Sequence, residues 1–258
     1  MTTAFNWRTE GEGSDLVLIH GWGMNAAVWQ HLLPSLTPHY RVHLVDLPGY
    51  GHNHHLVMED IEAVAALLLA ELPKGAVWVG WSLGGLVAKQ AALMNPSALA
   101  GLVTVASSPC FAEQEDWRGI KQDVLGTFKS QLAEDYQALI ERFMAIQAMG
   151  SRTARQDIKL LKTAVLDYPQ PHPDALQHGL NWLSDIDLRN QLDAINLPWL
   201  RMYGRLDGLV PVKVAAELDT EFVHSRSVVF KAASHAPFIS HPDEFVEALR
   251  AFMTESRL

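Results

Sequence analysis

The feature that most constrains this chain is Gly80-Trp81-Ser82-Leu83-Gly84-Gly85, set between two apolar runs. Ala76-Val77-Trp78-Val79 before it reads as a buried strand, and Leu86 to Leu93 after it reads as a helix. A G-x-S-x-G at a sharp strand-to-helix turn strains the serine backbone and lifts its hydroxyl beyond the sheet edge. Gly80 and Gly84 carry no Cβ, so strand and helix can approach closely. The N-terminus of the new helix favours negative charge that develops there. A glycine-rich turn with an ordinary serine is the plainer reading, and the flanking strand and helix weigh against it.

Around that turn, short apolar strands alternate with helices. Leu16–Ile19 leads into His20-Gly21-Trp22-Gly23-Met24, and 25–36 reads as a helix. Val42–Asp46 is a second strand, 58–72 a helix with Ile61, Val64, Ala65, Leu68 and Leu69 on one face, and 102–106 a further strand. Strands apolar throughout, alternating with helices, mean a mostly parallel sheet covered on both faces, an α/β fold. From Trp117 to Arg189 the alternation stops and only helical periodicity remains. The expected organisation is a core over 1–116, an inserted helical cap over 117–189, and the rest of the core over 190–258. Strands resume at 199–203 and 228–230, and a last helix starts near Pro242.

A serine hydroxyl is a weak nucleophile near neutral pH. It needs a base in reach, and the base needs a carboxylate to fix its tautomer. A serine on this turn takes its partners in the chain order Ser, acid, His. Ser82, Asp207 and His235 fit, each in a loop after a predicted strand. Twelve histidines are present, but only His235 directly follows the last strand; His241 precedes Pro242 and flanks a helix start. Asp187 and Asp193 are alternative acids, although neither follows a strand. The backbone N–H groups of Trp22 and Leu83 are the candidate oxyanion donors.

Composition excludes other chemistry. A net charge of -9 over 258 residues argues against nucleic-acid binding. Cys110 is the single cysteine, so an intramolecular disulfide or a cysteine metal cluster is ruled out, and it reads as a small buried apolar residue. The chain lacks an HExxH motif, an acidic metal cluster and a long apolar span. No metal, cofactor or membrane is expected; the chain reads as a soluble cytoplasmic monomer. Against the overall acidity, Arg142, Arg152, Arg155, Lys159 and Lys162 face one acid, Asp157, over 142–162. On a helix, 152, 155, 159 and 162 share one side, with Ala154, Ile158, Leu161 and Val165 on another. This is either a solvated charged face or a docking surface for an acidic partner or a phosphorylated substrate handle.

Together these motifs resemble the α/β-hydrolase family over nearly the whole chain. Within it, they are similar to the carboxylesterases of biotin synthesis that act on carrier-bound methyl pimelate. The resemblance rests on His20-Gly21-Trp22-Gly23, Val45 to Gly49, the Trp81-Ser82-Leu83-Gly84-Gly85 turn, Thr104 to Phe111, Tyr203 to Pro211, and His235-Ala236-Pro237-Phe238-Ile239-Ser240-His241-Pro242. It implies a Ser82–Asp207–His235 triad and release of methanol, leaving pimeloyl-carrier protein. It implies substrate contacts at Trp22, Ser82, Leu83 and across Phe143, Met144, Ala145, Ile146 and Gln147. It supplies acyl carrier protein as the acidic partner, met by Arg142, Arg155 and Lys159. Two departures stand out: Ala138 where a cation is expected, and His52-Asn53 where Arg-Ser is usual. A broad short-chain esterase and a carbon–carbon bond hydrolase or lyase share this triad. A non-catalytic binding protein on the same fold usually lacks a triad member, and here none is missing.

Overall fold

A computed structural model describes residues 4–147, 154–166, 168–222 and 225–258; the side chains at 133, 136, 137, 146, 147, 154 and 164–166 are outside that description. The strands are β1 (Trp7–Glu10), β2 (Ser14–Ile19), β3 (Tyr40–Val45), β4 (Ala76–Trp81), β5 (Leu99–Val105), β6 (Trp199–Gly204) and β7 (Ser225–Phe230). The helices are α1 (Leu33–Leu36), α2 (Ile61–Glu71), α3 (Leu83–Met94), α4 (Gln122–Glu134), α5 (Tyr136–Gln147), α6 (Ala154–Leu166), α7 (Pro173–Asp185), α8 (Lys213–Glu221), α9 (Pro237–Ser240) and α10 (Pro242–Glu255).

Among the described residues these strands form one seven-stranded sheet in the order β1-β3-β2-β4-β5-β6-β7. Every pairing is parallel except that of β1 with β3. The central strand β4 is buried along its whole length, because parallel strands with helices on both faces meet no water. Its carboxyl end, with those of β2, β6 and β7, forms the sheet rim where an open α/β fold places its site.

Two local expectations change. Strand β1 is absent from the sequence reading: a four-residue edge strand with Trp7 as its single apolar residue carries no apolar run to betray it. The stretch 25–36 is not one helix. A 3-10 helix covers Ala26–Leu32, and α1 follows with Pro34 in its first turn. Asp46 Oδ1 accepts from the Ala26 N–H at 2.7 Å, and Asn25 Oδ1 from that of Ala27 at 3.0 Å, tightening the entry. Pro34 has no N–H to continue the ladder.

Between β5 and β6 the described elements α4 to α7 are all helical. α7 is fastened to the core by main-chain acceptors. Trp22 Nε1 donates to Leu176 O at 2.8 Å, Tyr50 Oη to Ala175 O at 3.1 Å, and the His172 N–H to Gly49 O at 2.8 Å. No helix among the described residues is long and apolar enough to cross a membrane.

Candidate active site

Ser82 sits between β4 and α3 with φ 53° and ψ −116°, a conformation an L-residue adopts only under constraint. The constraint is visible. A Cβ on Gly80 would lie 2.4 Å from Gly84 O, so only glycine permits this return of the chain. The Ser82 N–H donates to Val105 O at 2.9 Å, and its carbonyl accepts from the Gly85 and Leu86 amides of α3.

Asp207 follows β6 and His235 follows β7. Asp207 Oδ1 accepts from the backbone N–H groups of Leu209 at 2.8 Å and Val210 at 3.0 Å. Its Oδ2 lies 2.8 Å from His235 Nδ1. A carboxylate can only accept there, so Nδ1 carries the proton and Nε2 keeps its lone pair. Nε2 lies 2.9 Å from Ser82 Oγ, which donates to it. Alcohol, imidazole and carboxylate thus form one continuous hydrogen-bonded line, nearly closed to solvent, with Ser82 2% and His235 0% exposed. Removal of water strengthens each bond in the line.

One contributor escaped the sequence reading. Trp81 Nε1 donates to the main-chain carbonyl of His235 at 2.9 Å, and its ring packs edge-on to Phe238 with centroids 5.0 Å apart. The residue before the nucleophile therefore anchors the loop that carries the base. Its position at the end of an all-buried strand was the available signal.

Of the alternatives, Asp193 is exposed on the 3-10 helix Arg189–Ala194, and the others have partners of their own. Asp187 pairs with Arg189 at 2.7 Å, and that guanidinium holds its carboxyl below the usual range. His241 Nδ1 lies against Ser240 Oγ at 2.8 Å. Cys110 is buried, as expected of a small apolar residue, and burial pushes its thiol up.

In the loop 21–23, Gly21 closely approaches the serine: a Cβ on it would stand 3.2 Å from Ser82 Cβ. Leu83 is the first residue of α3, where an N–H has no partner within the helix. Helix α5 covers this loop. Trp22 and Phe143 meet edge-to-face at 5.0 Å, and Phe128 backs Phe143 at 6.1 Å. Met144 is buried, whereas Ala145 is exposed. The side chains of Ile146 and Gln147, with Ala154, Val165 and all of Arg152, lie outside the described residues.

Of the basic cap residues, Arg155 and Lys159 are exposed on α6. Arg142 is exposed on α5, bonded to Gln131 Oε1 at 3.0 Å with its guanidinium 5.9 Å from the Phe128 ring centre. Lys162 pairs with Glu141 at 2.9 Å. Asp157 is buried, as is Leu161 in the apolar stripe.

Residues 16–242 match the alpha/beta hydrolase fold family. The chain belongs to this family. Among its relatives, the pimeloyl-[acyl-carrier protein] methyl ester esterase of Photobacterium profundum is 63% identical over 98% of this chain and 100% of its own length. The protein of the same name from Aliivibrio salmonicida is 57% identical over 98% of this chain and 97% of its own. Among solved structures, the esterase EaEST from Exiguobacterium antarcticum superposes with a TM-score of 0.82 at 22% identity, covering 96% of this chain and 94% of that one. At that identity it speaks to the fold alone. This hydrolase-family chain thus carries its Ser–His–Asp line at the rim of the parallel sheet, where the motif order requires it.

Proposed function

We propose that this chain is a serine carboxylesterase that hydrolyses the methyl ester of pimeloyl-acyl carrier protein, working in the cytoplasm with Ser82, His235 and Asp207 as its triad. The observation that carries the chemistry is the 2.9 Å approach of His235 Nε2 to Ser82 Oγ, with Asp207 behind it at 2.8 Å. The substrate assignment is supported by the name shared by relatives 57–63% identical over nearly the full chain.

Ser82 Oγ attacks the ester carbonyl carbon as its proton passes to His235 Nε2. The oxyanion that forms is met by the Trp22 and Leu83 N–H groups, fixed beforehand so that no reorganisation is needed. The carbon–methoxy bond breaks, and the imidazolium proton goes to the departing oxygen, giving methanol. Water then attacks the acyl-serine, losing a proton to Nε2. Collapse frees the pimeloyl carboxylic acid, which ionises by losing its proton to water, and returns the Nε2 proton to Ser82. Asp207 stabilises the imidazolium in both halves.

Helices α5 and α7 pack on this floor through Trp22 and Tyr50 and, with α4 and α6, serve as its roof. Phe143 packs against Trp22 and the buried Met144 follows it on α5, which supports an apolar path for the methylene chain. Arg142, Arg155 and Lys159 meet the acidic carrier, whose phosphopantetheine carries the substrate past them. The test is mass spectrometry of carrier-bound methyl pimelate with purified enzyme. Loss of the methyl group is expected with wild type, and Ser82→Ala should lower kcat by at least about 10³-fold while remaining folded. Full activity in that variant would overturn the mechanism, and an unchanged methyl ester with wild type would overturn the substrate.

A further inference from the structure

Lys89 lies two turns along α3 from Ser82, and its side chain is fully buried. A buried amine is costly unless it is hydrogen-bonded. Its partner is specific: Nζ donates to Ser107 Oγ at 2.8 Å. Ser107 Oγ in turn donates to the main-chain carbonyl of Ser82, also at 2.8 Å. The direction of this chain is set from the lysine. Because Nζ supplies a donor to Ser107 Oγ, the hydroxyl proton of Ser107 is left to point at Ser82 O.

The relay joins two strained points of backbone. Ser82 has φ 53°, and Ala106, the residue before Ser107, has φ 46°. Such conformations persist only where surroundings over-determine them. The Ser82 carbonyl also accepts from the Gly85 and Leu86 amides at 3.0 and 3.2 Å, and the Ser107 bond is the shortest of the three. The Ala106 N–H is meanwhile held by Met202 O at 2.8 Å.

We propose that Lys89 and Ser107 are positioning residues for the nucleophile: the Lys89–Ser107–Ser82 relay clamps the peptide after Ser82 and so aims Oγ at His235 Nε2 and the attacked carbon. This rests on Ser82 being the nucleophile. Burial, and secondarily the charge of Arg201, holds the Lys89 amine well below its ordinary pKa, so the clamp is made at the expense of stability.

The test uses Lys89→Met, Ser107→Ala and the double variant, each assayed with p-nitrophenyl acetate and by the rate at which a fluorophosphonate labels Ser82. In Lys89→Met we expect kcat and the labelling rate to fall about tenfold with KM unchanged, the size of one lost hydrogen bond to an aligned group. Tm should hold or rise, since a buried amine has gone. Ser107→Ala should lose as much, and the double variant no more than the larger single loss, because the two act as one chain. Unchanged kcat in Lys89→Met, or losses that multiply in the double variant, would overturn the relay. If Lys89→Met does not fold, Ser107→Ala decides alone: wild-type kcat and labelling overturn the relay, and a tenfold loss at unchanged KM supports it. Failure of the wild-type enzyme to label at Ser82 would instead remove the nucleophile itself, and the relay with it.

Discussion

The floor of the site and its roof are built by different means. On the floor, the three triad side chains bond to one another, but the bonds that hold them in place have main-chain partners. Asp207 is held by two backbone amides, the His235 carbonyl by Trp81, and the Ser82 amide by Val105 O. In the roof, α4, α5 and α6 are joined by side chains: Phe128 against Phe143, Arg142 on Gln131, Lys162 on Glu141. Helix α7 is intermediate, its main-chain carbonyls taken by Trp22 and Tyr50 from below. Main-chain partners survive substitution, so the floor preserves one chemistry. Side-chain partners do not.

The sharpest way to break this contrast is to leave the floor's shape intact and change one charge. In Asp207→Asn the amide oxygen still accepts from Leu209 and Val210, but its NH₂ faces His235 Nδ1 and selects the wrong tautomer. Nε2 then carries a proton and cannot receive that of Ser82. kcat should fall about 10⁴-fold, with KM for a short ester little altered. A loss below tenfold would mean that His235 is oriented by something other than its carboxylate.

The roof should respond to charge only when the carrier is present. With Arg142, Arg155 and Lys159 all changed to Glu, kcat/KM for the carrier-linked ester should drop about tenfold or more, steeply dependent on salt, while a free methyl ester is turned over as before. Equal loss on both substrates would make these residues part of the roof's structure and not a docking face. Arg142 is the residue most exposed to that outcome, since it already serves Phe128 and Gln131.

The same division explains what could be read from sequence. The floor is written in local signals: glycines at a turn, an acid and a histidine just past strands. Those signals specify backbone, and the backbone does the positioning. Trp81 was hidden because its partner is a carbonyl 154 residues away, which no local pattern encodes. Lys89 reads as one more helix residue until the loop after β5 delivers Ser107 to it. Strand β1 was missed because its pairing with β3 comes from the edge of a sheet already formed. In the roof, helical periodicity identified the helices, but which faces meet depends on packing between them. Thus Phe143 and Met144 are buried while Ala145, next to them in sequence, stands exposed.

The smallest expected effect concerns the joint between floor and roof. His20 is fully buried at the end of β2. Its Nδ1–H donates to Gly21 O at 2.8 Å, and Nε2 accepts from the Leu47 N–H at 3.0 Å. Its ring lies edge-on to Tyr50, which reaches up to Ala175 of α7. A second proton would set N–H against N–H at Leu47. Burial accordingly lowers the His20 pKa from its ordinary 6.5, although the Asp46 charge works the other way. The sign follows: above 6.5 neither folded nor unfolded chain is protonated here, and below it only the unfolded chain takes the proton readily. Stability should therefore fall as pH drops through about 6.5, by up to roughly 1.4 kcal/mol per unit until the folded pKa is reached. His20→Gln keeps an acceptor for Leu47 and has no such proton, so denaturant unfolding at pH 7 and pH 5.5 should show a smaller acid loss than in wild type. Identical losses would mean that Asp46 offsets burial fully, and that acid enters this protein through another of its histidines.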